Sequence, residues 1–208
     1  MIIKSLIKYL IKLIGFKLVR IKKYQEIKYH ESSETYGLNK INYGCYRNYL
    51  KDWLNVDRDI EKSDIFKTAK VNLTQKHPFH DETFAYGFAE DFIACIQQSE
   101  LIIFLYEVYR TFRSGGVLRI STPGLEGVLN KHYSDSNIET ALLAKTEAYD
   151  MWGNILFPSF HDLEMICKHI GFSGIRKVEY GISDHAELNN LDTRTHQIGL
   201  NTYVEITK

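Results

Sequence analysis

Two residues that could do chemistry follow the first strand-forming runs of the chain. Gly44 comes directly after Lys40 to Tyr43, and Asp57 ends a run that begins at Trp53. A glycine turn lets the backbone approach a ligand closely, and an acid at the carboxyl end of a strand accepts hydrogen bonds from ribose hydroxyls. The pair predicts a site for a ribose-containing ligand, although an ordinary turn glycine and a solvated aspartate give the same local pattern.

Such a site needs a sheet whose strands end at one edge. Strand-forming runs recur over 40–44, 53–57, 69–73, 84–89, 117–121, 174–180 and 202–206. Apolar residues at helical spacing run from Phe92 to Tyr109 and from Asp162 to His169. Residues 45–52 are too few for a full crossover helix, so a helix there is a single turn or absent. The alternation predicts an α/β fold: a Rossmann-like, mostly parallel sheet with helices on both faces and an antiparallel C-terminal strand pair.

The start of the chain differs in charge from the rest. Residues 1–28 hold eight basic side chains and one acid, whereas the remaining residues hold 18 basic and 25 acidic side chains. We therefore divide the chain into a basic amphipathic arm, residues 1–28, and a domain, residues 35–208. The acidic domain argues against nucleic acid as a partner, because a surface that grips phosphates carries an excess of positive charge.

The arm predicts an amphipathic helix. Lys4, Lys8 and Lys12 fall on one side of a helical wheel whose other side is apolar, and Gly15 ends the pattern. The lysines interrupt the apolar run and no small-residue cleavage site follows, so neither a spanning helix nor a signal peptide is predicted. Two interpretations stay open: residues 1–23 lie on an anionic membrane, or the helix docks on its own domain.

The cysteines indicate a reducing compartment. Cys45, Cys95 and Cys167 are odd in number and far apart, which is typical neither of a disulfide framework nor of a Cys-x-x-Cys pair. The predicted location is the cytoplasm, at the inner face of the membrane if the arm binds lipid.

A family resemblance is carried by nine blocks in a fixed order. They occupy residues 42–45, 53–57, 71–74, 78–81, 104–110, 114–123, 171–172, 180–183 and 191–194. Together they resemble successive motifs of class I S-adenosylmethionine-dependent methyltransferases. More narrowly, they resemble the small bacterial type associated with surface-polysaccharide synthesis. The resemblance covers roughly residues 38–208.

The resemblance implies S-adenosylmethionine as the cofactor. The implied cofactor-binding residues are Gly44, Cys45 and Tyr46 beside the methionine part, Asp57 at the ribose, Asn72 and Leu73 at the adenine, and Ala89 and Glu90 on the sulfonium side. The implied activity is methyl transfer to a hydroxyl of a sugar or glycan precursor.

The segment expected to cap the acceptor pocket supplies candidate substrate residues. They are Trp152, Asn154, His185 and Arg194. Packing or surface solvation explains each of them better than direct catalysis does, so they are weaker candidates than the cofactor residues. No catalytic residue is predicted.

His77, His80 and Asp81 are the residues that most resemble metal ligands. They lie in the loop that the family places before its fourth strand, and the sequence offers no further ligand beside them. No metal site is predicted.

Several positions depart from the family pattern. Tyr46 stands where a second glycine is usual, Asn72 where an acid is usual, Ala94 and Cys95 where Glu-His is usual, and Asn154 where a histidine is common. A tyrosine in a left-handed turn costs roughly 1–2 kcal/mol, and its ring competes for cofactor space. The alternative function is therefore a catalytically inactive methyltransferase-like protein that binds or scaffolds.

Overall fold

The computed structural model describes residues 35–132 and 137–208. The seven strands are β1 (Lys40–Tyr43), β2 (Leu54–Asp57), β3 (Lys67–Lys70), β4 (Phe84–Glu90), β5 (Phe112–Pro123), β6 (Gly174–Lys177) and β7 (Asn201–Thr207). The helices are α1 (Gln98–Thr111), α2 (Leu125–His132), α3 (Ile138–Lys145) and α4 (Phe160–Ile170), with a π-helical turn at Thr146–Met151. The predicted arm helix lies outside the described residues. Among the helices of the described part, none is long and apolar enough to cross a membrane.

The strands form one sheet in the order β3-β2-β1-β4-β5-β7-β6. Strands β1 to β5 are parallel, and β7 runs antiparallel to both β5 and β6. The mostly parallel sheet with an antiparallel C-terminal pair is therefore confirmed. Strand order reverses between β1 and β4, the place where open sheets of this kind bind ligands.

One face of the sheet carries the main apolar core. Helix α1 buries Leu101, Phe104 and Val108 there, and α4 buries Leu163 and Cys167 beside them. Both helices begin with a capping box, in which side chains satisfy backbone N–H groups that have no partner inside the helix. The apolar spacing and the caps together fix these two helices under the second half of the sheet.

The first half of the sheet is linked differently. Residues 44–53, 58–66 and 71–83, which connect β1 to β4, contain no helix. The prediction that the β1–β2 connection holds at most one helical turn is confirmed. Without helices, the backbone groups of these connections need other hydrogen-bond partners.

Two buried amides supply many of those partners. Asn42 on β1 and Asn55 on β2 point away from the main core, because side chains alternate along a strand. The Asn42 amide donates to the Asn48 carbonyl and to Asn55 Oδ1, at 2.8 and 3.0 Å. Asn55 accepts from the Leu50 N–H at 2.8 Å and donates to the Leu50 carbonyl at 3.0 Å. The pair holds residues 44–53 against the sheet.

The β3–β4 connection is fastened to α1 by a second polar cluster. The His77 N–H donates to Glu107 Oε2 at 2.8 Å, and Arg110 donates to the same oxygen at 2.6 Å. Arg110 also donates to the carbonyls of His77 and Phe79. Burial lowers the pKa of His77 to about 4, so the ring is neutral at physiological pH.

A third cluster holds residues 178–194 on the other face of β5. Arg119 is fully buried and pairs with Asp192, its Nη2 lying 2.5 Å from Oδ2. The same guanidinium donates to the carbonyls of Ile182 and Glu179, both at 2.8 Å, and pairs with Glu205. Because every partner comes from outside the local segment, this arginine sets the path of the chain between β6 and β7.

Candidate functional site

A cavity of about 810 Å³ opens at the carboxyl ends of β1, β2 and β4. This volume lies in the range of small-molecule sites, about 300–1,000 Å³. Its walls are formed by Gly44, Tyr46, Asp57, Arg58, Val71, Asn72, Leu73, Thr74, Glu90, Asp91, Phe92, Cys95, Ile96, Pro123, Glu147, Trp152, Asn154, Arg194, His196, Gln197 and Leu200. The cavity therefore joins the strand ends to the segments before α4 and before β7.

The end of β1 makes a tight turn. Gly44 has φ +60, and a Cβ there would lie 2.6 Å from the Phe92 ring. Glycine is therefore required at this position both by conformation and by space. Tyr46 also has a positive φ of 45°, which confirms the left-handed turn. The residue is 65% exposed, and its ring centroid lies 5.2 Å from the Arg47 guanidinium, so Tyr46 forms part of the rim of the cavity.

Asp57 holds the β1 turn from the neighbouring strand. Its Oδ2 accepts from the Tyr46 N–H at 2.9 Å, and its Oδ1 accepts from the Asp59 N–H at 3.1 Å. A carboxylate offers about four acceptor positions, so two backbone donors leave capacity for ligand hydroxyls. Asp57 thus has a structural role as well as a position in the cavity wall.

The part of the cavity wall that follows β3 is apolar except for the side-chain amide of Asn72. Val71 and Leu73 are both buried, and both line the cavity. Asn72 is exposed, and its Oδ1 accepts from the backbone N–H and the hydroxyl of Thr74, at 3.1 and 2.9 Å. This local turn leaves the amide Nδ2 as the donor that Asn72 can offer to a flat heterocycle.

Two acids lie at the carboxyl end of β4: Glu90 is its last residue and Asp91 follows it. Glu90 Oε1 accepts from the Thr193 N–H at 2.8 Å, and Oε2 accepts from the Thr193 hydroxyl at 2.6 Å. Asp91 pairs with Arg194, whose Nε lies 2.9 Å from Oδ2. Burial raises the pKa of the Asp91 carboxyl. The two acids anchor residues 193–194 across the cavity.

One side of the cavity is closed by the chain that follows the π-helical turn. Trp152 and Asn154 line it, and Asn154 is only 7% exposed. The N–H groups of Ile155 and Leu156 donate to the Ala94 carbonyl at 2.8 and 3.1 Å. The small side chain at 94 thus lies where the cap docks on the turn after β4.

The structure brings most of the predicted site residues to one cavity. Those that line it are Gly44, Tyr46, Asp57, Asn72, Leu73, Glu90, Trp152, Asn154 and Arg194. It does not bring Cys45, Ala89 or His185 to the cavity wall. Cys45 and Ala89 are buried among other residues, and the His185 ring packs near Tyr86, with ring centroids 5.9 Å apart.

Sequence reasoning missed several cavity residues. Asp91 could have been found, since it directly follows Glu90 at the end of a predicted strand. Glu147 and His196 lie in segments without a strand or helix prediction, so nothing local marked them. Cys95 also lines the cavity, but burial raises the pKa of its thiol and makes it a poor nucleophile.

No metal centre accompanies the cavity within residues 35–132 and 137–208: no three His, Cys, Asp or Glu side chains lie close enough together to hold an ion. His77 is instead part of the cluster that fastens the β3–β4 connection to α1.

No family model matches the chain, and no curated protein matches it. Many solved structures do match. The chain has the fold of S-adenosylmethionine-dependent methyltransferases. A possible histamine N-methyltransferase of this class from Thermotoga maritima is 16% identical, with a TM-score of 0.55 over 82% of this chain and 81% of that one. A methyltransferase from Mesorhizobium loti is 14% identical, with a TM-score of 0.55 over 83% of this chain and 91% of the other.

A third match was solved with the cofactor. Phosphoethanolamine N-methyltransferase 2 of Haemonchus contortus, in complex with S-adenosylmethionine, is 14% identical, with a TM-score of 0.51 over 81% of this chain and 48% of that one. At identities this low, the structural similarity shows the methyltransferase fold alone. The substrates named for these proteins are not carried over to this chain.

Proposed function

We propose that the chain is an S-adenosylmethionine-dependent methyltransferase whose cofactor binds in the cavity at the ends of β1, β2 and β4. The observation that carries this proposal is the convergence of Gly44, Asp57 and Asn72 on one cavity wall, at the point where strand order reverses. Gly44 follows β1, Asp57 ends β2 and Asn72 follows β3, and Asp57 keeps acceptor positions beyond the bond that holds the β1 turn.

The residues present fit this cofactor. Asp57 retains acceptor positions for ribose hydroxyls, and Val71 and Leu73 offer apolar surface to the adenine, with the Asn72 amide at its edge. The backbone at Gly44 borders the methionine part. When bound, the cofactor supplies a methyl group from a sulfonium sulfur, and the carboxylates of Glu90 and Asp91 favour that positive charge.

The contribution of the chain to transfer is chiefly alignment. Holding donor and acceptor in a reactive geometry can supply about 7–11 kcal/mol of the barrier. A hydroxyl acceptor must also lose its proton. Asp91 is the candidate proton acceptor, because burial raises the pKa of its carboxyl. Its Oδ1 accepts from the Asn201 amide at 3.1 Å and its Oδ2 pairs with Arg194 at 2.9 Å, so both acids are held in place by neighbouring side chains.

The proposed acceptor is a hydroxyl of a sugar or glycan precursor. The acceptor side of the cavity combines the Trp152 ring with hydrogen-bonding groups of both kinds on Glu147 and Asn154. An aromatic face with donors and acceptors around it suits a polyhydroxylated small molecule. The proposed location is the cytoplasm, with residues 1–23 tethering the protein to the anionic inner face of the membrane.

Calorimetric titration with S-adenosylmethionine and S-adenosylhomocysteine tests the proposal. Wild type should bind both, and Asp57→Ala should weaken binding by about 1.5–3 kcal/mol, or roughly 10–150-fold, since it removes hydrogen bonds to a charged group. Asp59→Ala is the matched control, because Asp59 contributes its backbone N–H to the turn and its side chain points to Arg58. If wild type and Asp57→Ala bind S-adenosylmethionine with equal affinity, Asp57 does not contact the cofactor.

A binding or scaffolding role without catalysis is the second candidate. It is favoured by the way the chain already uses its acids: Asp57 accepts two backbone donors and Glu90 accepts twice from Thr193. The two candidates differ in turnover. Cofactor binding without formation of S-adenosylhomocysteine, over a panel of sugar and nucleotide-sugar acceptors, would favour the scaffold.

A further inference from the structure

We infer that Arg194 binds an anionic group of the acceptor, so that the acceptor is a hydroxylated molecule carrying a carboxylate or a phosphate. The inference rests on the proposed function, because it concerns the acceptor of that same cavity. It narrows the acceptor from sugars and glycan precursors in general to anionic ones.

Arg194 is held by two acids at the carboxyl end of β4. Its Nε lies 2.9 Å from Asp91 Oδ2 and 3.8 Å from Glu90 Oε2. The side chains of Asp91 and Glu90 are only 17% and 5% exposed, whereas the arginine side chain is 41% exposed. All three residues line the cavity. The charged group of this cluster that is most open to a ligand is therefore the guanidinium, with the acids behind it.

The outer end of the guanidinium is the part that a ligand can reach. Its Nε is buried, but Nη1 and Nη2 are not, and neither makes a hydrogen bond within the part of the chain that the structure describes. The group is planar, and its Nε lies between two residues of the cavity wall, so the Nη end belongs to the same wall. The donors of Nη1 and Nη2 are thus accessible and unused.

The position of this group is fixed before a ligand arrives. Thr193, the residue before Arg194, donates to Glu90 through both its N–H and its hydroxyl, at 2.8 and 2.6 Å. The ion pair with Asp91 then sets the direction of the side chain. A preorganised donor group binds more tightly, because less conformational freedom is lost on binding.

The chemistry of a guanidinium decides the class of ligand. Its N–H groups only donate, and their planar fork matches the two oxygens of a carboxylate or phosphate. The cofactor also has a carboxylate, on its methionine part. In the proposed site that part borders Gly44 at the end of β1, whereas Arg194 contacts the end of β4. We therefore assign the guanidinium to the acceptor.

Binding of small sugars to the full chain, saturated with S-adenosylhomocysteine, tests the assignment. The anionic probes are methyl β-D-glucuronide and glucose 6-phosphate, and methyl β-D-glucopyranoside is the neutral reference. Each is titrated to millimolar concentrations and followed by saturation-transfer NMR. Wild type should bind at least one anionic probe about 10-fold or more tightly than the reference, and Arg194→Gln should lose that preference. Wild type without any preference for an anion, or without binding of either anion, would overturn the inference.

Two further variants separate a direct contact from other effects. Arg58→Gln removes the same charge from another part of the cavity wall, where Arg58 pairs with Asp59. It should keep the preference of wild type, and an equal loss there would show a general field effect and overturn the inference. Arg194→Lys keeps the charge but not the planar fork, so it should bind glucuronide more weakly than wild type and retain more of the phosphate affinity. Should Arg194→Gln fail to fold, unchanged affinity of Arg194→Lys for both anions would overturn the inference.

Calorimetry with S-adenosylmethionine separates this failure from that of the proposed function. Wild type, Arg194→Gln and Arg194→Lys should bind the cofactor with equal affinity. Lost cofactor affinity in an Arg194→Gln protein that melts like wild type would assign the guanidinium to the cofactor carboxylate, and would overturn the inference. Wild type that does not bind the cofactor refutes the methyltransferase proposal itself. Normal cofactor affinity without a preference for anions refutes the role of Arg194 alone.

Discussion

Acid should weaken the fold through His77. Burial lowers the pKa of His77 from its ordinary value of 6.5 to about 4. Between these values the unfolded chain binds a proton that the folded chain does not, so the free energy of unfolding falls as pH falls from 6.5 towards 4. Each pKa unit is worth about 1.4 kcal/mol, so the full loss is about 3 kcal/mol.

The structure gives the cause of this sensitivity. The His77 ring packs against Tyr43 and Phe104, and its Nε2 lies 3.2 Å from the Leu73 carbonyl. The ring therefore donates from Nε2, and its buried Nδ1 has no partner within the described residues. Protonation would place a hydrogen on Nδ1 with nothing to accept it. Because Leu73 lines the cavity, the same protonation should also weaken cofactor binding.

Urea unfolding at several pH values between 7 and 4.5 measures the effect. His77→Gln should lower stability at pH 7 but abolish about 2–3 kcal/mol of the pH-dependent loss. His161→Gln, at an exposed position on α4, should keep the loss of wild type. The raised pKa of Asp91 acts in the opposite direction and is common to all three proteins. Parallel pH profiles for wild type and His77→Gln would refute the reasoning.

Three further predictions concern the cavity rim at Tyr46, the buried cluster around Arg119, and the N-terminal arm. Tyr46→Gly should raise cofactor affinity in calorimetry or leave it unchanged, since the ring lies at the rim and φ there suits glycine; lost binding would make the tyrosine a stacking partner. Arg119→Met should cost about 3–5 kcal/mol in urea unfolding because it strands buried carboxylates, whereas Arg113→Met, at an exposed site, should change stability by less than about 0.5 kcal/mol. Full-length protein should sediment with anionic liposomes at low salt, and a chain beginning near Tyr24 should not; a large drop in melting temperature without lipid binding would place the arm on the domain instead.

Runs of apolar residues predicted the strands correctly where the buried residues of the run lie within the strand itself. They failed at β3, expected over 69–73 and found at Lys67–Lys70. The reason is that Val71 and Leu73 are buried in the cavity wall beyond the strand, so their apolarity reports the site and not the sheet. Helix α3 was missed because its apolar residues have no helical period, several of them being exposed.

The site was predictable to the extent that its residues end strands. Gly44 and Asp57 were found in this way, but their hydrogen bonds were not, since sequence does not show that Asp57 binds the Tyr46 backbone. The hydrogen-bond partners of Arg119 could not be predicted from the sequence. Asp192 lies 73 residues away along the chain, and no local pattern links a buried arginine to a distant acid.

The missing crossover helices account for the character of the site. A helix that links parallel strands satisfies its own backbone and covers the sheet with apolar side chains. Here residues 44–53 and 71–83 contain no helix, so Asn42, Asn55, Glu107 and Arg110 supply hydrogen bonds to their backbone. The apolar side chains of Trp53, Val71, Leu73 and Phe79 still cover the sheet. These same connections carry the cavity walls at Gly44, Tyr46 and Asn72. The geometry of the site therefore depends on polar networks as well as on apolar packing, and the network at His77 contains a group that titrates. This is why we expect pH to change stability and cofactor affinity together.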